Sequence, residues 1–167
     1  YWITGLSASG KSTISKKLKK LLVEKKQKAI LLDGDNLRKI FDHHKYDNIS
    51  RLKYGYIYAN LCKYLINQNT NVIIAIGGLF HELHKWNKKN IPNYIEIFLD
   101  VPIDELERRD PKGLYKKFRN GEIKNLNGVD ISPELPKKPS LIIKWNNQNE
   151  IETFEILEKY VNRLTKI

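Results

Sequence analysis

The sequence has no methionine and a single cysteine, Cys62, among its 167 residues. One cysteine cannot form an internal disulfide, which excludes a disulfide-stabilised secreted scaffold and is typical of a protein of the reducing cytoplasm. No apolar run approaches the roughly 20 residues that a membrane-spanning helix needs. The chain starts at Tyr1 without a basic and then apolar leader, so we expect no signal peptide, no membrane partner and a cytoplasmic location.

Negative charge is scarce as well, since 19 acidic side chains stand against 30 basic ones and the net charge is +11. Such a charge suits a cleft for polyanions such as nucleotides, a nucleic-acid-binding surface, or a general excess of surface lysine. The charge by itself does not choose between these interpretations.

Glycine and proline are few, at 9 and 6 residues, and we find no repeat, low-complexity tract or Gly/Ser linker. We therefore expect one domain over residues 1–167. Short apolar runs alternate with helix-like segments, which predicts an α/β fold with a five-stranded parallel sheet and helices on both faces. The predicted strands are Tyr1–Thr4, Ala29–Leu32, Val72–Ile76, Tyr94–Leu99 and Leu141–Lys144, and the predicted helices are Lys11–Lys26, Ile49–Asn69, Phe80–Asn90, Ile103–Arg109 and Ile151–Leu164.

A phosphate-binding pattern, G-x-x-x-x-G-K-[ST], is matched by residues 5–12, between a predicted strand and a predicted helix. Backbone N–H groups and the positive end of the helix dipole cradle nucleotide phosphates in such a loop, which predicts the P-loop NTPase fold. Lys11 would contact the donor phosphates, and the Ser12 hydroxyl would bind Mg²⁺. The guanine-reading pattern N-K-x-D is not matched, because Asn90 stands at its carboxylate position, so ATP is the expected donor. The predicted ATP-binding residues are Gly5, Ser7, Ala8, Ser9, Gly10, Lys11, Ser12 and Thr13.

An acidic turn with Asp33, Asp35 and Arg38 follows the second predicted strand. In open α/β sheets, ligands bind at this end of the strands. A carboxylate here can accept the proton of an attacking hydroxyl and help to hold Mg²⁺ through water, and Arg38 can grip an acidic group of the acceptor. We predict Lys11, Asp33 and Asp35 as catalytic residues and Ser12 and Asp33 as metal ligands. The alternative is that Asp33 merely ends the strand and Asp35 caps the next helix.

Residues 110–139 break the alternation of strands and helices. They are polar and basic, with four prolines and three glycines, and show little strand periodicity. A segment of this length without secondary structure is often an active-site lid, and a closing lid keeps water from a transferring phosphate. We therefore predict a lid of irregular structure over residues 110–139.

These motifs together resemble the adenylylsulfate kinase family. Gly5–Thr13 is close to that family's G-L-S-G-x-G-K-[ST]-T, with Ala8 in place of a glycine, and Leu32–Arg38 matches its L-D-G-D-N-x-R. The longest match is to its lid, over residues 109–117, 121–124 and 128–130. The resemblance implies phosphorylation of the ribose 3′-hydroxyl of adenylyl sulfate by Mg-ATP, as in sulfate assimilation. The substrate-binding residues that we predict with it are Asp35, Arg38, Phe80, Lys112, Gly113 and Leu114.

Several positions depart from the family pattern. Gly78 stands where the family has a serine sometimes assigned as a phosphoenzyme intermediate, and Leu126 stands near the lid aromatic that stacks on adenine. The segment Leu79–Asn87 is similar to the L-F-x-E-x-x-x-[WY]-N of a related group. Some members of that group are linked to surface-polysaccharide pathways and phosphorylate cytidine diphosphoramidate. Tyr46 and a neighbouring histidine could replace the missing stacking residues.

The acceptor therefore stays open at this point. Adenylyl sulfate is favoured by the resemblance, and another small nucleotide such as cytidine diphosphoramidate is the alternative. A nucleic-acid-binding P-loop module is a distant third interpretation, because the acidic turn and the lid have no purpose in it. The sequence also leaves open whether the protein forms a homodimer.

Overall fold

A parallel sheet forms the centre of the fold in residues 1–164, the part of the chain that the computed structural model describes. Its five strands are β1 (Trp2–Thr4), β2 (Ala29–Asp33), β3 (Asn71–Ala75), β4 (Glu96–Asp100) and β5 (Leu141–Lys144). They lie in the order β2-β3-β1-β4-β5, and all neighbours are parallel. The predicted α/β fold with a five-stranded parallel sheet is therefore confirmed.

Helices connect the strands and account for most of the remaining described chain. They are α1 (Lys11–Glu24), α2 (Gly34–Ile40), α3 (Asn48–Ile66), α4 (His81–Asn90), α5 (Ile103–Arg109), α6 (Leu114–Arg119) and α7 (Glu150–Leu164). The sequence did not predict α2 and α6, two helices of 7 and 6 residues. Helix α2 begins within the acidic turn, and α6 lies between Gly113 and Gly121 in the segment predicted to be irregular, so neighbouring turn residues concealed both.

Both faces of the sheet are covered, because successive side chains of a strand point to opposite sides. On β1, Ile3 belongs to a core with Leu18 of α1 and Leu157 of α7. The neighbouring Trp2 belongs to a second core, which contains Leu83 of α4 and several side chains of α3. No helix among the described residues combines the length and the apolar composition that a membrane crossing demands.

The predicted lid, residues 110–139, is not irregular throughout, which corrects the sequence prediction. It contains α6, and a compact turn follows in which the Asp130 carboxylate accepts hydrogen bonds from the N–H groups of Asn125 and Leu126, at 2.8 and 2.6 Å. Gly128 lies against residues 5–12, here called the phosphate loop. It has φ +88°, and a Cβ atom there would come within 2.8 Å of Leu6 Cδ1. The lid therefore folds on local hydrogen bonds and packs directly on the phosphate loop.

The carboxyl ends of β1, β2 and β3 meet at one edge of the sheet because these strands are parallel neighbours. The phosphate loop follows β1, the acidic turn follows β2, and the two glycines at 77 and 78 follow β3. A Cβ atom on Gly34 would come within 2.9 Å of Ala75 O. The strand ends therefore approach so closely that only glycine fits at position 34.

Candidate active site

A cleft of about 830 Å³ opens at this edge of the sheet. Its floor is the phosphate loop at the centre of the sheet, because β1 is the middle strand. Towards the β2 edge its walls are α2, the first turns of α3 and residues 123–127 of the lid. Towards the β5 edge its walls are the end of α5, Trp145 and the start of α7. The cleft therefore extends across the phosphate loop from the β2 edge of the sheet to the β5 edge.

The phosphate loop depends on left-handed backbone geometry at two positions. Gly10, which precedes α1, has φ +93°. Ala8, which replaces a glycine of the family pattern, has φ +63°, a conformation that an alanine side chain disfavours. Ala8 therefore adopts the backbone conformation of the motif, and this lowers the stability of the protein to some extent.

Lys11 directs its ammonium group back over the phosphate loop. Its Nζ donates to Leu6 O at 2.6 Å and lies 3.4 Å from Ser9 Oγ. Burial and the positive charge of Lys112 lower the pKa of Lys11 to about 8, against the opposing effect of Asp35 and Asp33. Lys11 is therefore charged at neutral pH, and it is held where a phosphate would relieve the cost of its burial.

Ser12 and Asp33 are joined across the floor of the cleft. Ser12 Oγ donates to Asp33 Oδ2 at 2.7 Å, and the other oxygen, Asp33 Oδ1, accepts from the N–H of Asp35 at 3.0 Å. Asp33 thus ends β2 and also caps α2, so the alternative in which Asp35 is the cap is wrong. A hydroxyl and a carboxylate are hard oxygen donors of the kind that Mg²⁺ prefers, and both stand beside the phosphate loop. The residues present therefore fit the predicted metal site.

Asp35 reaches across the cleft to the lid. Its carboxylate pairs with the ammonium group of Lys112, and each side chain remains 56% exposed. An exposed ion pair contributes only about 0–1 kcal/mol. The contact is therefore a weak latch between the acidic turn and the lid.

Two arginines and a tyrosine form the wall near the β2 edge. The Arg38 guanidinium lies 4.4 Å from the centre of the Tyr46 ring and also donates weakly to the carbonyls of His43 and Lys45. Arg51 donates to Tyr46 O at 2.5 Å and to Asn125 O in the lid at 2.6 Å. Burial and the nearby Arg38 lower the pKa of Arg51 to about 10, so Arg51 is charged at neutral pH. Two arginine side chains therefore stand close together on this wall.

A stacked pair of rings continues the same wall. The rings of His43 and Tyr54 lie 3.7 Å apart at an angle of 11°. His43 is only 3% exposed, and burial together with Arg38 lowers its pKa to about 4. The imidazole is therefore neutral at physiological pH and presents an aromatic surface rather than a charge.

The opposite wall, near the β5 edge, carries a second cation–aromatic stack. The Arg109 guanidinium lies 4.2 Å from the centre of the Trp145 ring. Glu105 holds that arginine through a hydrogen bond of 2.6 Å and binds Arg108 as well. These two hydrogen bonds lower the pKa of Glu105 to about 2. Hydrogen-bonded ion pairs with Glu105 therefore hold the arginines of this wall in place, and the Arg109–Trp145 stack gives the wall a flat surface.

Nearly all predicted site residues line this one cleft. They are Gly5, Ser7, Ala8, Ser9, Gly10, Lys11, Ser12, Thr13, Asp33, Asp35, Arg38, Phe80, Lys112 and Leu114. Gly113 does not line it. This residue precedes α6 with φ +65°, a conformation that favours glycine, and its contact with substrate stays a prediction.

Among the wall residues that sequence reasoning missed are Arg51, Tyr54, Arg109 and Trp145. The first two lie within a predicted helix whose apolar residues are spread around all of its sides, and no spacing singles them out. Trp145 directly follows the last strand, and its position at a strand end was the one signal that could have marked it.

The chain is similar to several known proteins. The family model described as Adenylylsulphate kinase matches residues 1–144. A cytidine diphosphoramidate kinase from Campylobacter jejuni is 39% identical over 98% of this chain and 94% of its own length. An adenylyl-sulfate kinase from Pseudomonas aeruginosa is 39% identical over 85% of this chain and 74% of its own length. The solved structure of the Mycobacterium tuberculosis APS kinase CysC in complex with AMPPNP and APS superposes with a TM-score of 0.88 at 30% identity, covering 96% of this chain and 95% of that one.

Proposed function

Because the chain belongs to the adenylylsulphate kinase family, a family of phosphotransferases acting on a nucleotide hydroxyl, we propose that it transfers the γ-phosphate of ATP to a nucleotide with an acidic 5′ tail. One observation carries the proposal. The phosphate loop and the Asp33–Asp35 turn face the same cleft, and Lys112 of the lid pairs with Asp35 over it.

The donor half of the site is the phosphate loop with the wall near β5. The backbone N–H groups of residues 7–13 would surround the phosphates, and Lys11 would neutralise charge on them. Ser12 and Asp33 would hold Mg²⁺, which when bound draws charge from the transferring phosphate. The base would lie against the Arg109–Trp145 stack, which stands at the opposite end of the cleft from the acidic turn.

The acceptor half is the wall near β2. Asp35 stands at the first turn of α2 beside Asp33, within reach of a hydroxyl held over the phosphate loop, and can accept its proton. Arg38 and Arg51 lie together on this wall and would bind the acidic tail of the acceptor. Closing of the lid through Lys112 would then exclude water from the transfer.

For the acceptor, we favour cytidine diphosphoramidate. Leu126, near the position of the family's adenine-stacking aromatic, is 6% exposed and packs with Leu106 and Tyr115, so this position of the lid offers no ring to a purine. The wall instead presents Tyr46 and the His43–Tyr54 stack. The C. jejuni cytidine diphosphoramidate kinase is also similar to this chain over nearly the full length of both.

Adenylyl sulfate is the second candidate. It is supported by the family match and by the similarity to a structure solved with that nucleotide. Like cytidine diphosphoramidate, it joins a nucleoside to two linked acidic groups, which suits the two arginines of the wall.

The test is a coupled assay of ADP release with ATP, Mg²⁺ and either acceptor at equal concentration, with the product identified by mass spectrometry. We expect a kcat/KM at least tenfold higher with cytidine diphosphoramidate. The reverse preference would make the protein an adenylyl-sulfate kinase. Failure to phosphorylate either nucleotide above the rate of ATP hydrolysis alone would overturn the proposed reaction.

A further inference from the structure

The Gly77–Phe80 loop, which connects β3 to α4, is held by buried polar side chains behind it. Gly77, Gly78 and Phe80 line the cleft, next to the start of α2, where Gly34 approaches Ala75 O. Two successive glycines give a backbone wide conformational freedom, and they bring no side chain to restrict it. The position of this wall therefore depends on what its carbonyl groups bind, together with the packing of Leu79, which is 2% exposed.

The carbonyl of Gly78 accepts a hydrogen bond of 2.7 Å from Nε2 of His84, one turn into α4. A carbonyl oxygen can only accept, so Nε2 carries the proton. His84 is 6% exposed and does not line the cleft. The next carbonyl, that of Leu79, accepts from the N–H of Glu134 in the lid at 3.2 Å. The loop is thus tied to the core at Gly78 and to the lid at Leu79.

The second nitrogen of the imidazole faces a buried carboxylate. His84 Nδ1 lies 3.5 Å from Glu96 Oε1, within ion-pair range, and Glu96 is 2% exposed. The same oxygen accepts a hydrogen bond of 3.0 Å from the Tyr94 hydroxyl, which lies 3.4 Å from Asn87 Nδ2. Burial, and then the charge of Glu96, raises the pKa of Tyr94, so this hydroxyl is the donor.

A buried carboxylate is costly unless it is paired, and an apolar side chain would fill the same space without that cost. None of Glu96, His84, Tyr94 and Asn87 lines the cleft, so they cannot act by touching a ligand. What they do reach is the backbone of the loop that lines it. The free-energy cost of burying these polar groups is therefore explained if the position of Gly78 matters to the reaction.

We propose that His84 and Glu96 are positioning residues. The Nε2–H group of His84 fixes the Gly78 carbonyl by a hydrogen bond and with it the acceptor-side wall at Phe80. Glu96 lies 3.5 Å from Nδ1, without a hydrogen bond, and orients the ring by charge when that nitrogen also carries a proton. The assignment of this wall to the acceptor rests on the proposed function. The relay, by which we mean the contacts from Glu96 through His84 to the Gly78 carbonyl, does not.

The kinetic test uses three variants of the full chain. His84→Leu removes the donor and should raise the KM for the preferred acceptor about tenfold, with the KM for ATP within twofold of wild type. His84→Gln keeps an N–H donor and should recover most of this loss, and Glu96→Gln should raise the acceptor KM by a smaller factor. The matched control is Leu157→Ala, a fully buried side chain of the opposite core, which should lower the melting temperature without changing the ratio of the two KM values.

A purely structural role would give the opposite pattern. The proposal is overturned if His84→Leu and Leu157→Ala change the ratio of acceptor KM to ATP KM equally, or if His84→Gln is no better than His84→Leu. The glutamine variants remain informative if the leucine variant does not fold.

A second measurement needs no acceptor. Hydrogen–deuterium exchange of a peptide that spans residues 77–83 should be at least several-fold faster in Glu96→Gln than in wild type, with residues 11–24 unchanged. If wild type phosphorylates neither nucleotide, the proposed function fails while this measurement still decides the relay. Unchanged exchange in both the His84 and the Glu96 variants would overturn the relay even in an active enzyme.

Discussion

The carboxylate of Asp35 on α2 pairs with the ammonium group of Lys112 in the lid, 77 positions further along the chain. This pair joins the two motifs that most resemble the family, the acidic turn and the lid. Because both side chains are more than half exposed, the pair can form and break without unfolding anything. This contact is therefore present when the lid lies over the acidic turn.

Lys112→Ala should weaken this closure and leave the fold intact. We expect the acceptor KM to rise about three- to tenfold, and the free energy of unfolding to change by less than about 1 kcal/mol, because the pair is exposed. Steady-state kinetics and urea denaturation measure the two effects. Lys116→Ala, which changes a neighbouring lid lysine, is the control. Equal kinetic effects of the two variants would show that the Asp35–Lys112 pair does not help to close the lid.

Lys11→Ala should reduce turnover severely without loss of structure. Removing a preorganised group that stabilises transition-state charge typically lowers kcat by roughly 10²–10³-fold, and Lys11 is held inside the phosphate loop. The circular dichroism spectrum should be unchanged. Lys16→Ala, at an exposed position of α1, should retain full activity. Near-normal turnover of Lys11→Ala would place the donor phosphates elsewhere.

Ala8→Gly should stabilise the protein. Ala8 has φ +63°, and glycine adopts this conformation without the steric cost that alanine bears, so we expect a gain of roughly 0.5–1 kcal/mol in the free energy of unfolding. Urea denaturation at neutral pH measures it. Ala59→Gly, in the buried middle of α3, should instead lower the free energy of unfolding. A loss of stability in both variants would show that Ala8 is not strained.

His43 should make the protein less stable in mild acid. Its pKa is about 4 in the folded protein, against an ordinary value of 6.5. Between pH 6.5 and 4 the unfolded chain therefore binds more protons, and stability falls as the pH falls through this range. The expected loss from this group is roughly 2–3 kcal/mol.

The comparison for His43 is His43→Phe, which keeps a ring against Tyr54 and cannot titrate. Denaturation of wild type and variant at pH 7, 5.5 and 4 should show a smaller loss in the variant. The same slope with pH in both proteins would mean that another group accounts for the acid sensitivity.

Much of the chemistry could be read from local sequence. The phosphate loop at residues 5–12, the acidic turn at Asp33 and the parallel sheet were predicted, and the sheet and the family are confirmed. The family is recognisable because each motif is a short continuous stretch whose backbone conformation is decided by its own glycines and caps. The parallel strands then bring the motifs to one edge, as their alternation with helices requires.

The missed elements have a common cause. The helices α2 and α6 are short and adjoin glycine-containing turns, which concealed them, and tertiary contacts hold them, such as the hydrogen bond from the Tyr115 hydroxyl to Ser7 O at 3.2 Å. Arg51 and Tyr54 belong to a helix whose apolar residues are spread around all of its sides, so no spacing singles them out. Only the packing of α3 beside α2 and the lid turns their side chains towards the cleft.

The sequence by itself thus determined the phosphate-loop motif, because such a loop is specified by neighbours along the chain. The tertiary structure decided the wall near β2, where Arg51 meets Asn125 of the lid across 74 positions, and the relay from Glu96 to Gly78. Contacts between residues so far apart depend on how helices pack on the sheet. That packing is a property of summed apolar burial, which no local motif records.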